Sequence, residues 1–392
     1  MDKITFVVPS RNNLEFLQLC IKGIKNLSGE HEILVLNDAS TDGTKEWLES
    51  LNDNSIQIYE NPGPERIGIV GMFDKGIEMS RTDIICAYHA DMVASPDLDI
   101  HLLKYLQPKT VVTATRVEPP LHPAGSEKII ENFGVEVEEF DFEKWTDWCN
   151  QPKFATGETT EGIFAPWCMY KEDFLALGGH DKLFAPQSKE DSDLFNRMQL
   201  AGYKFVQTWD GLVYHFTSRG SRFNKHSGGG AGKNSQEWVE TTTRNGRNFI
   251  RKWGHFIAHD EYMKPIIYSK YNIGAVIENC NPIILKDIEP WFDNIYVDCD
   301  CSEYILSENE KTVYDLEKRC HHISKTPVDD ILVMLDCNKF TTRDYEIIMK
   351  LPEIFDTLSE PGEFKLESFI VKVKKVQKVE VKNYALSYND AR

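Results

Sequence analysis

No stretch of this 392-residue chain approaches the roughly 18 consecutive apolar residues that a membrane-spanning helix needs, which excludes a transmembrane helix. Nothing at the start resembles a secretory leader, so none is expected. Met1-Asp2-Lys3 runs straight into Ile4-Thr5-Phe6-Val7-Val8, which is too short and too β-branched to serve as one. Positive charge is scarce: 44 Lys and Arg face 62 Asp and Glu, a formal net charge of -18. Nucleic-acid affinity depends on cations that this balance lacks, so no nucleic-acid partner is expected. The same deficit disfavours a broad polybasic membrane anchor. Cysteines number nine and are scattered, with Cys20, Cys86 and Cys168 inside apolar runs. That pattern offers no disulfide framework and predicts reduced thiols in a cytoplasmic protein. No internal repeat is found, and low complexity is confined to residues 217–236.

What is present is the composition of a folded protein. Hydrophobic residues make up 41% and aromatics 11%, enough to bury a sizeable core, and the length suggests two or three domains. Residues 1–110 alternate strand and helix signals in the manner of a doubly wound sheet. Strand Ile4–Val8 precedes a helix with Leu14, Leu17, Ile21 and Ile24 at helical spacing. Strand Ile33–Leu36 precedes a helix carrying Trp47, Leu48 and Leu51. A third strand, Ile56–Tyr59, leads to a helix through Val70, Phe73, Ile77 and Met79, and a fourth, Ile84–Tyr88, ends at His89. Residues 117–160 hold many prolines and acidic residues without a clean period and read as a loop-rich insertion. Gly162–Tyr170 reads as a strand, and Ser188 opens a helix that stops at Ala201-Gly202. Residues 217–236 mix glycines with Arg219, Arg222, Lys225 and Lys233 and read as a flexible basic loop. From about residue 272 the pattern restarts with strands Pro282–Leu285, Asn294–Val297 and Ile331–Leu335, a helix through Tyr345–Met349 and strands within Phe369–Val381. The expected division is therefore residues 1–255 and a smaller α/β domain over 272–392.

Candidate chemistry collects at strand ends, where open α/β sheets place their sites. His89 and Asp91 follow the fourth strand two residues apart. Asp91 suits a hard divalent cation, and a histidine beside it favours Mn2+ over Mg2+. A loop histidine next to a solvated aspartate is the plain alternative. Asp38 ends the second strand within Asn37-Asp38-Ala39-Ser40-Thr41-Asp42-Gly43, where a carboxylate can meet a nucleobase edge or ribose hydroxyls, or where the segment simply caps the next helix. Ser188-Lys189-Glu190-Asp191 fits a capping box. A carboxylate in that field stays ionised and is able to take a proton from an attacking hydroxyl. His215, after Val213-Tyr214, is either structural or a third metal ligand. Asp298-Cys299-Asp300 imitates a metal motif after a strand but lacks an upstream nucleotide-type set and a downstream Glu-Asp helix at matching distance. Cys299 and Cys301 with Cys320-His321-His322 imitate zinc ligands at a spacing that matches no ordinary finger.

Taken in order, these features resemble the family-2 glycosyltransferases with the GT-A fold, over about residues 3–255. Val8-Pro9-Ser10-Arg11-Asn12 is similar to that family's opening strand and loop, and Asn37–Thr44 to its nucleotide-binding segment. Gly178-Gly179-His180-Asp181, Glu190-Asp191-Ser192-Asp193-Leu194, Arg197 and Ala201-Gly202-Tyr203 resemble its long acidic block. The resemblance implies a GT-A type doubly wound, mostly parallel sheet. Nucleotide contacts are implied at Pro9, Ser10, Arg11, Asn12, Asp38, Ser40, Asp42 and His89, with Asp38 on the uracil or ribose. Asp91 and His215, with His89, are implied as metal ligands, and Asp191 as general base with Glu190 beside it. Arg219, Arg222 and Lys225 are expected to fold over a diphosphate. Position 89 departs from the family, which carries aspartate there.

The function so implied is an inverting, metal-dependent transfer of a sugar from a nucleotide-diphosphate donor, a UDP-sugar, to a hydroxyl of a glycan or other acceptor. One alternative is a GT-A-fold protein that binds glycan or nucleotide-sugar with weakened turnover, which His89 favours. A nucleotidyltransferase would instead carry its glycine-rich basic loop near the N-terminus. No family resemblance is identified for residues 272–392, which are expected to position the acceptor or pair two chains as a homodimer.

Overall fold

The computed structural model describes residues 2–358 and 360–385. The chain divides into two compact units, Met1–Thr242 with His259–Pro265, and Thr243–Ala258 with Ile266–Arg392.

Unit 1 begins with β1 (Ile4–Ser10), α1 (Leu14–Lys25), β2 (Glu32–Asp38), α2 (Thr44–Ser50), β3 (Ile56–Asn61), α3 (Gly68–Met79) and β4 (Ile84–Ala87). β1 is apolar on both faces because helices cover both, and Ile4, Phe6, Val7 and Val8 are fully buried. On α1, Leu17, Cys20, Ile21 and Ile24 form the buried stripe, and on α3 Val70, Phe73 and Ile77 do so, while Met79 is exposed. β5 (Met92–Ala94), α4 (Leu98–Lys104), β6 (Thr110–Glu118), β7 (Lys128–Ile130), α5 (Phe142–Cys149), β8 (Thr159–Thr160) and β9 (Trp167–Tyr170) follow. Then come α6 (Lys171–Ala176), α7 (Glu190–Leu200), β10 (Lys204–His215) and α8 (Gln236–Trp253), within which the chain passes to unit 2.

The main sheet runs β3-β2-β1-β4-β9-β6-β10-β5, with β7 beside β6 and β8 beside β10. β3, β2, β1 and β4 are parallel, as are β6 and β10, whereas β9 and β5 run antiparallel to their neighbours. This is the mixed, mostly parallel α/β architecture expected. The carboxyl ends of β1, β2 and β4 lie along one rim.

Three local expectations for unit 1 are overturned. Residues 117–160 are not all loop: β6 continues through Glu118, and Asp141 caps α5, accepting from the N–H groups of Glu143 and Lys144. The strand expected over Gly162–Tyr170 is confined to Trp167–Tyr170. Ser188 does not cap α7. Ser188 and Lys189 both take φ of +76°, and the Ser188 hydroxyl instead meets the Thr242 hydroxyl at 2.7 Å.

Unit 2 comprises β11 (Ile273–Glu278), α9 (Pro282–Ile288), β12 (Asn294–Val297), α10 (Ser302–Asn309), α11 (Leu316–Arg319), β13 (Cys320–His322), β14 (Ile331–Asp336), α12 (Thr342–Met349), α13 (Leu351–Asp356), β15 (Gly362–Leu366) and β16 (Phe369–Val373). Its sheet runs β13-β12-β11-β14-β16-β15, the first four strands parallel and the last two an antiparallel hairpin. The strand expected at Pro282–Leu285 is a helix. Asn281 caps it from the side chain, Pro282 occupies its first turn, and Leu285 and Ile288 turn inward. All nine cysteines are free thiols.

Candidate active site

His215 is the last residue of β10, and the antiparallel β10–β5 register sets it opposite Met92, one residue beyond Asp91. The short turn after β4 carries His89, with the Met92 N–H bonded to the His89 carbonyl. These elements bring one ligand atom each from His89, Asp91 and His215 within 4.8 Å of one another, the only such set among the described residues. The His215 Nε2 lies 3.7 Å from Asp91 Oδ1, and the two imidazole centroids are 6.2 Å apart. Asp91 and His215 are buried, and His89 is half-buried. Burial pushes the His89 imidazole below its ordinary value, against the pull of the Asp91 and Asp191 charges. Asp91 Oδ2 accepts the Arg219 backbone N–H at 2.6 Å, so its other oxygen is left towards the imidazoles. The Cys and His residues of unit 2 form no comparable group among the described residues.

A single cavity in unit 1 collects these residues with the others that the sequence marks. Pro9, Ser10, Arg11, Asp38, His89, Asp91, Glu190, Asp191 and His215 all line it. Three further residues, Asn12, Ser40 and Asp42, lie outside it and knit the two rim loops together. The Asn12 N–H donates to the Ser40 hydroxyl, Asn12 Oδ1 accepts from the Thr41 N–H, and Asp42 accepts from the Leu14 and Thr44 N–H groups. Asp38 lines the cavity with its carboxylate already engaged. Its oxygens accept from Asn61 Nδ2 at 2.7 Å, the Ile67 N–H at 2.8 Å and the Gly68 N–H at 2.7 Å. Gly68 has φ of +86°, and a Cβ there would lie 2.4 Å from the Pro186 carbonyl oxygen, so only glycine fits this turn.

The acidic block is a hydrogen-bonded unit that presents Glu190 and Asp191 at the start of α7. Arg197 Nε bonds Asp193 at 2.9 Å, while its terminal nitrogens donate to the carbonyls of Leu177 and Gly179. Asp181 in turn receives the Leu183 N–H. Burial, then the neighbouring Asp191 charge, pushes the Glu190 carboxyl well above the ordinary glutamate range. Ser10 Oγ, Arg11 Nε and Glu190 Oε2 are buried polar atoms without a hydrogen-bond partner among the described residues, and each belongs to a residue lining the cavity. Unpaired buried polar groups on residues that line one hollow suit a polar ligand site.

Within residues 217–236, Ser218, Gly220 and Ser221 line this cavity. Arg219, Arg222 and Lys225 do not point into it. The buried Arg219 guanidinium meets the Val135 carbonyl and Glu136, Arg222 lies against Trp238 and bonds Asn234, and Lys225 pairs with Glu136. The cations on the cavity wall are Arg11 and Arg66. Arg66, Gln187 and Trp238 were not anticipated. The only sequence signal for Arg66 is its place in Pro62-Gly63-Pro64-Glu65-Arg66, a turn before a helix at the sheet rim. Glu118 was also missed, because residues 117–160 read as a loop-rich insertion. Burial pushes its carboxyl up, yet the Arg116 guanidinium, His215 and Lys128 hold it well below the usual carboxylate range.

Residues 5–173 match the sequence profile of Glycosyl transferase family 2. That stretch of the chain is similar to that family. The chain's central sheet is mostly parallel, as the sequence resemblance implies. Among curated proteins it is 25% identical over 121 residues to an undecaprenyl-phosphate mannosyltransferase of Micrococcus luteus, a match covering 30% of this chain and 49% of that protein. The chain thus spans about half the length of the curated relative it matches. Two solved structures are similar at low identity. One is GalNAc-T7 with UDP, GalNAc and Mn2+ (13% identity, 67% of this chain and 49% of that one, TM-score 0.46). The other is the mannosyltransferase PcManGT of Pyrobaculum calidifontis with GDP-Man and Mn2+ (17% identity, 54% and 56% covered, TM-score 0.38).

Proposed function

We propose that this chain is an inverting glycosyltransferase that takes a sugar from a nucleotide-diphosphate donor, a UDP-sugar, and passes it to a hydroxyl of a glycan or other acceptor. The observation that carries the reading is convergence. A three-residue cation set, two cavity-lining arginines (Arg11, and Arg66, which pairs with Glu237) and an adjacent pair of carboxyl groups, contributed by segments far apart in sequence, line one hollow.

His89, Asp91 and His215 fit a divalent cation, and two imidazoles with one carboxylate suit Mn2+ better than Mg2+. Bound there, the cation would supply charge neutralisation to a departing diphosphate. Arg11 and Arg66 hold the anionic donor, with the free Ser10 hydroxyl as a further contact. Asp191 accepts the proton of the acceptor hydroxyl while that oxygen bonds the anomeric carbon. The bond from that carbon to the diphosphate breaks as this happens, and its electron pair leaves with the diphosphate oxygen. One displacement inverts the configuration, and no protein-bound sugar forms.

Thermal denaturation of the full chain with UDP-sugars and either Mn2+, Mg2+ or a chelator tests donor and cation together, because a ligand of the folded state raises its melting temperature. A stabilising donor is then assayed for turnover. Asp191→Asn and Asp91→Ala are each expected to lose at least about 100-fold in kcat. Wild-type rates in both variants would remove the mechanism.

A further inference from the structure

Glu118, at the end of β6, is fully buried directly behind His215, and no step above uses it. The parallel β10–β6 register pairs Tyr214 with Val117, which places Glu118 level with His215 on the next strand. His215 Nδ1 lies 2.8 Å from Glu118 Oε1. That carboxylate also accepts from Arg116 at 2.9 Å and, through Oε2, from Lys128 at 2.9 Å. Arg116 is itself fixed by Glu127 and by the Phe164 ring, whose centroid is 3.6 Å from its guanidinium carbon. Glu118 therefore sits in one place as an acceptor, held from two sides.

An acceptor on one ring nitrogen decides what the other nitrogen offers. With the proton on Nδ1, His215 donates to Glu118 and Nε2 carries a lone pair. The reverse tautomer would set two acceptors face to face at 2.8 Å. The opposite side of the ring agrees. Asp91 Oδ1, at 3.7 Å, is too distant to take a hydrogen bond from Nε2, while the Ser218 backbone N–H is directed at Nε2 from 3.5 Å. Glu118 is not a ligand itself, since it lies outside the set of atoms able to share one cation.

We propose that Glu118 is the positioning residue of the cation site, locking His215 in the Nδ1–H tautomer so that its Nε2 lone pair faces Asp91 and the cavity. The tautomer stands on this structure alone, and its role towards a cation rests on the reading of His89, Asp91 and His215 given above.

Two measurements on the full chain test it. In long-range proton–nitrogen spectra of the metal-free protein at about pH 8.5, two units above the ordinary imidazole value, the His215 ring is identified by its loss in His215→Ala. A protonated Nδ1 is expected, and a protonated Nε2 overturns the proposal whether or not any variant folds. Mn2+ titration followed by electron paramagnetic resonance supplies the second. Glu118→Gln is expected to weaken Mn2+ binding by about 10- to 100-fold, with the metal-free melting curve and circular dichroism showing that the variant folds. In a His215→Ala background the same change should add less than about threefold, because its effect runs through that ring. An undiminished Glu118→Gln effect without His215, or no effect with it, overturns the proposal. Failure of Mn2+ to bind the wild-type chain at all overturns the cation reading instead, which separates the two.

Discussion

Glu190 and Asp191 are neighbouring carboxyl groups in different surroundings. Glu190 is buried with one oxygen unpaired, and Asp191 is half-buried on the cavity wall. Burial and the adjacent Asp191 raise the folded-state value of Glu190 above its unfolded one. The stability that its proton confers is therefore complete below the ordinary glutamate value of about 4.3 and is lost as pH rises towards the raised value. Glutamine in its place carries no charge to bury. Glu190→Gln is expected to raise the melting temperature near neutral pH, by about 2–4 °C for each kcal/mol recovered, and to keep kcat within about tenfold of wild type. Asp191→Asn is expected to lose turnover without that gain. A Glu190→Gln protein that melts lower and is as inactive as Asp191→Asn would contradict this division of roles.

At the scale of elements, legibility followed the strength of local pattern. β1, α1, β2 and α3 could be read because strands buried on both faces are continuous apolar runs and their helices carry one apolar stripe. α9 could not be told from a strand by periodicity, since Pro282-Ile283-Ile284-Leu285 is a short apolar run; Asn281 followed by proline was the better signal. Ser188 fitted a capping box, yet the backbone there turns left-handed and Lys189 precedes the helix, so tertiary contacts overrode the motif. His89, Asp91 and Asp191 were legible because their residue types and strand-end positions carry chemistry. Arg66, Glu118 and Trp238 were not, because only the tertiary fold sets them beside those residues. In the basic segment 217–236 the sequence showed charge but not direction. Its arginines face Glu136 and Trp238, and Ser218, Gly220 and Ser221 line the cavity.

Over the whole molecule, each unit has its own core, and unit 2 is also organised around buried charge. Glu289 is fully buried among Arg251, Arg319 and Arg247, with Arg251 reaching Glu308 as well. Burial pushes the Glu289 carboxyl up, but the three guanidinium groups bring it down to about 2. A depressed carboxylate stabilises the fold above its unfolded value near 4.3. That contribution, on the order of 3 kcal/mol, is lost as pH falls towards about 2. Glu289→Gln leaves buried arginines short of a counter-charge. In urea unfolding followed against pH it should cost about 3–5 kcal/mol near neutrality and flatten the acid limb, and an unchanged acid limb would refute the assignment. In unit 1 the function proposed for the chain needs one hollow to take cation, diphosphate and base together. The most direct measurement is a crystal structure of the full chain grown with UDP and Mn2+, with anomalous diffraction recorded from the manganese. The predicted result is one manganese peak bonded to His89, Asp91 and His215, with the diphosphate between it and Arg11 and Arg66 and with Asp191 facing the same space. Manganese or nucleotide bound elsewhere, with these three side chains uncoordinated, would contradict it.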